Sequence, residues 1–148
     1  MGYKYIATCA LGIEGLLSDE LKRLNLKNVS AENGRVTFVG DAFSGAVANI
    51  FSSLAERILI SVGEFKATDF DTLFTSVKSL PFENFIGKFD AFPVIGYSLN
   101  SALHSVPDCQ SIIKKAIVER IKKAYKTDWF LENNITYKIR FSIIKDNV

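Results

Sequence analysis

The pair Asn33-Gly34 narrows the fold of this chain more than any other feature. Val29 and Ala31 alternate into it and Val36 and Phe38 alternate out of it, and an Asn-Gly pair between two alternating runs is the strongest short-range signal for a β-hairpin. Upstream, Tyr3 to Ala10 reads as a strand. Gly12 breaks it before a helix whose Ile13, Leu16, Leu17, Leu21 and Leu24 share one buried face. Downstream, Gly40 ends the second hairpin strand and Asp41 caps a helix with the apolar stripe Phe43, Ala46, Val47, Ile50, Phe51 and Leu54. Ile58, Ile60 and Val62 then alternate as a strand up to Gly63.

The resulting order, β-α-β-β-α-β, predicts a ferredoxin-like unit over residues 1–65: a four-stranded antiparallel sheet with both helices on one face. Phe38, Phe43 and Phe51 fall on its expected core faces. A second unit, residues 66–148, opens with Thr68 or Asp69 capping a helix that carries Phe70, Leu73, Phe74, Val77 and Leu80, with Phe74 assigned to the core. Pro81 ends that helix. Phe92 to Ser98 is a strand, and its Pro93 and Gly96 suggest an edge position or a bulge. Tyr137, Ile139, Phe141 and Ile143 alternate along a final strand. The fold class is α+β.

Between those two strands lies the most basic helix, HSVPDCQSIIKKAIVERIKKAYK from His104 to Lys126. Ile113, Ile117, Ile121 and Ala124 share one face, while Lys115 and Lys122 stand opposite, flanked by Lys114, Arg120 and Lys123. Asp108 is the expected N-cap after Pro107. The free amides of that helix start, with Ser105, Gln110 and Ser111 around them, suit an anion. Residues 1–97 carry nine Lys and Arg against eleven Asp and Glu, whereas residues 98–148 carry nine against five. Positive charge thus gathers around this helix, the footprint of a polyanion partner. A lysine face is more often merely solvated, and the pattern alone leaves both readings open.

Composition removes other classes. At 148 residues and 48% hydrophobic the chain can bury a core and is not disordered. No run approaches the ~18 apolar residues of a membrane span, and the N-terminus lacks the pattern of a signal peptide, which leaves a cytoplasmic address and no membrane partner. Cys9, Cys109 and the single histidine His104 cannot supply the usual zinc set, so neither a metal site nor a disulfide is expected.

Three stretches carry a resemblance: ATCALGIEGLLSDELKRL at Ala7–Leu24, ENGRVTFVGD at Glu32–Asp41 and LHSVPDCQSIIKKAIVERIKKAY at Leu103–Tyr125. In order and spacing, over essentially the whole chain, they resemble the N-terminal region of bacterial THUMP-containing RNA methyltransferases, the group that includes the large-subunit ribosomal RNA guanine-N2 methyltransferases. The resemblance implies a ferredoxin-like domain followed by a THUMP domain that lacks its last strand. It also implies that the two hold ribosomal or transfer RNA for a C-terminal domain that binds S-adenosylmethionine. That catalytic domain is not expected in this chain: no Pro-Pro pair occurs among Pro81, Pro93 and Pro107, and no G-x-G cluster follows a strand. No catalytic residue and no cofactor are therefore assigned to it.

With the resemblance added, a phosphate-facing role is favoured for Lys114, Lys115, Lys122 and Lys123. His104, Ser105 and Asn100, on the loop before the helix, are candidates for phosphate or ribose. Arg140, with Lys138, extends the patch if the last strand lies beside the helix. Trp129, Phe130 and Tyr97 are assigned to sealing the junction between the units. Two rivals remain. One is a protein-interaction module, or a homo-oligomer, pairing through an exposed final strand; the other is stand-alone catalysis through Cys109 and His104, ranked last.

Overall fold

The computed structural model describes residues 2–128 and 132–148, so the expectation for Trp129 and Phe130 lies outside the described residues. The chain divides into two compact units, Met1–Ser61 and Val62–Val148.

In the first unit β1 (Tyr3–Thr8), α1 (Glu14–Arg23), β2 (Lys27–Glu32), β3 (Arg35–Gly40), α2 (Ala42–Phe51) and β4 (Arg57–Ser61) follow the β-α-β-β-α-β order. The strands form one antiparallel sheet in the order β2-β3-β1-β4. Glu32 pairs with Arg35 across the Asn33-Gly34 turn, and Gly34 takes φ +72°, the left-handed value that a glycine adopts without a Cβ penalty. The Glu14 carboxylate accepts N–H groups from Gly12 and Gly34, each at 2.9 Å, which ties the start of α1 to the hairpin. Tyr5 and Ala7 of β1 and Val36 and Phe38 of β3 are buried with Leu17 and Leu21 of α1 and Ala48 of α2. Tyr5 stacks on Phe38 at 4.9 Å and donates its hydroxyl to the Asp41 carbonyl.

Both helices correct the sequence reading in part. Leu16 is exposed on α1, and on α2 Phe43 and Phe51 are exposed rather than core. The cause is close packing: α2 lays Gly45 and Ala48 on the sheet, and a Cβ on Gly45 would lie 2.7 Å from the Tyr5 ring. A helix seated on its smallest residues turns its large apolar ones outward. Its start is capped by Asp41, which accepts the Ser44 N–H at 2.8 Å.

The end of α2 is held by Glu20 of α1. The Ser52 and Ser53 hydroxyls each donate to this carboxylate at 2.6 Å, joined by the N–H groups of Ser53 and Leu54. Burial works against ionisation of Glu20, but these donors together outweigh it and hold its pKa down to about 2. Because the folded value lies below that of the unfolded chain, the stabilisation is fully present above the ordinary glutamate pKa of about 4.3 and is lost as pH falls from there towards 2. Glu20→Ala should therefore cost roughly 2 kcal/mol at neutral pH, a cost that chemical denaturation shows shrinking below pH ~4.

In the second unit α3 (Phe70–Ser79) is followed by a 3-10 turn at Phe82–Asn84, β5 (Val94–Leu99), α4 (Val106–Tyr125) and β6 (Ile139–Ile144). Asp69 caps α3 through the Thr72 N–H at 2.7 Å, and Pro81 follows its end. β5 and β6 pair in parallel, from Val94–Ile139 to Leu99–Ile144; the final strand thus has a hydrogen-bonded neighbour. The α4 crossover that parallel pairing requires packs on α3 and on the sheet, burying Ile113, Ala116, Ile117 and Ile121 with Leu73, Val77, Phe141 and Ile143. Ala116 takes the place expected for Ala124, which is exposed in the last turn. Lys145 and Asp146, both at positive φ, turn the chain so that Val148 exchanges backbone hydrogen bonds with Phe65.

Candidate nucleic-acid interface

Helix α4 runs 20 residues, and its N-cap is Ser105 rather than Asp108. Pro107 sits inside the first turn, where the missing N–H has no intrahelical partner to lose. Asp108 occupies that turn and accepts the Ser105 hydroxyl at 2.5 Å, while the Ser111 hydroxyl donates to the Pro107 carbonyl at 3.0 Å and the Gln110 amide to the Val94 carbonyl at 3.1 Å. The corner expected to take an anion therefore carries its own carboxylate and has its side-chain donors engaged. His104 is exposed, with Nδ1 3.0 Å from the Ala102 carbonyl. Asn100, at φ 50°, is exposed on the preceding loop.

The helix separates the candidate lysines. Lys114 places its ammonium on the Glu132 carboxylate, 3.1 Å from the Phe92 carbonyl and 3.8 Å from the centre of the Phe92 ring; it is neutralised. Arg120 forks onto Glu83. Lys115 and Lys123 are exposed and Lys122 is half-buried, and among the described residues no carboxylate reaches ion-pair distance of these three. Positions 111, 115, 119 and 122 share one helix stripe, so Ser111, Lys115, Glu119 and Lys122 lie in a row on the side away from the core.

Lys78 of α3 joins that row, although sequence reasoning missed it. Its ammonium is 2.6 Å from Glu119, and the Glu119 carboxyl is held below the usual range first by that hydrogen bond, against some burial, and then by the charges of Lys78, Lys115 and Lys122. Three cations surround one carboxylate, which leaves an excess of positive charge at the α3–α4 face. No local signal joins positions 78 and 119.

Arg140 does not extend this row. Phe141 and Ile143 of β6 face α4, so by strand alternation Arg140 faces the opposite side of the sheet, opposite Ile95 in the register. That side also exposes Tyr97 and Leu99. Lys138 precedes β6 and is exposed. Cys109 is fully buried, with Sγ 3.9 Å from the Leu103 carbonyl. Burial pushes its thiol up and Asp108 adds to this, so the thiolate that catalysis would need is disfavoured and the Cys109–His104 reading falls. Among the described residues no three metal-ligating side chains come together, and no helix is long and apolar enough to cross a membrane.

The THUMP domain family matches residues 67–148, and the RlmL ferredoxin-like domain family matches residues 4–59. A protein of Bacillus subtilis strain 168 described as "Putative RNA methyltransferase YpsC" is 42% identical over 146 residues, which is 97% of this chain and 38% of that protein. The crystal structure of "a predicted N6-adenine-specific DNA methylase" from Listeria monocytogenes superposes with TM-score 0.96 at 42% identity, over all of this chain and 39% of that one. SMU.472, "a putative methyltransferase complexed with SAH", gives TM-score 0.94 at 38% identity, over 99% of this chain and 40% of that one. The chain thus spans about two fifths of the length of these relatives.

Proposed function

Because the chain belongs to the THUMP domain family and carries an RlmL ferredoxin-like domain before it, we propose that it holds structured RNA, ribosomal or transfer, for an S-adenosylmethionine-dependent methyltransferase domain of a longer polypeptide. The reaction the sequence resemblance implies is methylation of guanine N2. The Bacillus relative is described as a "Putative RNA methyltransferase", and SMU.472 is complexed with SAH, the product of the methyl donor. The observation that carries the reading is the outward row of Lys115 and Lys122 with Lys78 and Lys123 beside it. Lys115, Lys122 and Lys123, which have no carboxylate at ion-pair distance among the described residues, give up no ion pair when they neutralise phosphates, whereas Lys78 is already held by Glu119. The counterions released from RNA drive binding. Such contacts set position and orientation and leave base choice to other groups.

Fluorescence titration of a labelled RNA stem-loop across a salt series tests this. Affinity should fall linearly on a log-log plot, with a slope corresponding to about three neutralised phosphates. Salt-independent association would remove the proposal. A DNA stem of matched sequence belongs in the same series, since the Listeria relative is described as acting on DNA and an A-form RNA helix offers 2′-hydroxyls that DNA lacks. Sedimentation without RNA addresses the rival: concentration-dependent self-association would favour pairing through a sheet edge.

A further inference from the structure

Helix α2 presents an apolar stripe to solvent. Phe43, Ile50 and Phe51 are 75%, 72% and 63% exposed, while Gly45 and Ala48 are buried. Positions 43, 46, 47 and 50 share a helix face opposite 45 and 48, so the outward face carries exposed Phe43, Ala46 and Ile50, with half-buried Val47 and exposed Phe51 at its sides. No charged residue occurs anywhere in α2. A solvated helix normally shows the reverse pattern. Nor is α2 a loose element, because Asp41 caps one end and Glu20 clamps the other. It is a rigid, uncharged, apolar ridge.

We propose that this ridge is the docking face for the catalytic methyltransferase domain of the same polypeptide, so that the ferredoxin-like unit fixes the orientation of that domain. The inference rests on the reading above that such a domain accompanies this chain, whose relatives carry about three fifths of their length beyond what it matches. Nucleic acid is a poor occupant, since α2 offers phosphate no cation. A second copy is disfavoured by size. Two phenylalanines and an isoleucine present on the order of 300–400 Å² of apolar surface, against roughly 800 Å² per partner in a standard interface between free proteins. A tethered domain needs less, because the linker holds it at an effective concentration in the millimolar range.

The test compares amide exchange over residues 42–51 in the 148-residue chain and in the full-length polypeptide. Exchange should be slowed roughly tenfold or more in the longer protein, and the exposed-site double variant Phe43→Ser/Ile50→Ser should abolish the slowing while leaving S-adenosylmethionine binding unchanged. Equal exchange in the two wild-type proteins would overturn the proposal. So would concentration-dependent dimerisation lost in the double variant, which would assign the ridge to a second copy. A full-length protein that binds no S-adenosylmethionine would sink the underlying methyltransferase reading, an outcome the cofactor titration separates from failure of the docking face alone.

Discussion

Changing Lys115 and Lys122 together to glutamate should weaken binding to an RNA stem-loop roughly 25- to 60-fold at about 0.1 M salt and lower the salt slope by about 1.5. The magnitude follows from counterion release. Log affinity falls by about 0.9 per neutralised phosphate per decade of salt on a duplex and by about 0.7 on a single strand, so one contact is worth roughly five- to eightfold between 1 M and 0.1 M salt. Two contacts multiply, and the repulsion introduced by glutamate adds to the loss. Lys114 is the internal control. Its ammonium already sits on Glu132 and over the Phe92 ring, so Lys114→Gln should lower stability and leave the salt slope unchanged. Glu119→Gln should act in the opposite direction to the double reversal, because it removes the one carboxylate among Lys78, Lys115 and Lys122. If the double reversal binds RNA with an unaltered slope, the phosphates lie elsewhere.

The contrast between Lys114 and Lys115 shows where sequence ran out. Spacing placed both on the polar part of α4, but Glu132, eighteen positions on, takes one of them, and Lys78 reaches the row from a helix forty-one positions from its Glu119 partner. Only the tertiary packing of α3 on α4 decides such pairs. Local chemistry was legible where it is local: Asn33-Gly34 made the hairpin, and Asp41 and Asp69 capped α2 and α3 through N–H groups three residues on. At Ser105 the same reasoning slipped by three residues, because proline is as well suited to a first helical turn as to the stop before one. The α2 stripe is apolar, as its periodicity predicts, but Phe43, Ile50 and Phe51 lie outside the core. Periodicity shows that a helix has an apolar face without showing what covers it, and the opposite face of Gly45 and Ala48 was small enough to seat the helix on the sheet.

Gly96→Val should destabilise the second unit although valine is the better strand former. Strand preference favours valine over glycine by up to about 1 kcal/mol, so on sequence grounds Gly96→Val should strengthen β5. A Cβ at this position, however, would stand 2.2 Å from the Phe141 carbonyl oxygen and 2.5 Å from its ring. The backbone oxygen cannot rotate away, and Phe141 is buried among the α4 residues of the core. To admit valine, β5 and β6 must separate or the ring must leave its site, either of which breaks pairing that runs from Val94–Ile139 to Leu99–Ile144. Overpacking in a core costs about 1–3 kcal/mol where side chains can yield, and a backbone clash belongs at or beyond the top of that range. Hydrogen exchange on the whole 148-residue chain should show Gly96→Val losing protection across β5, β6 and α4, while β1 to β4 exchange as before. Unchanged protection of β5 would mean that the ring and strand yield freely, and the close approach at Gly96 would then have no energetic weight.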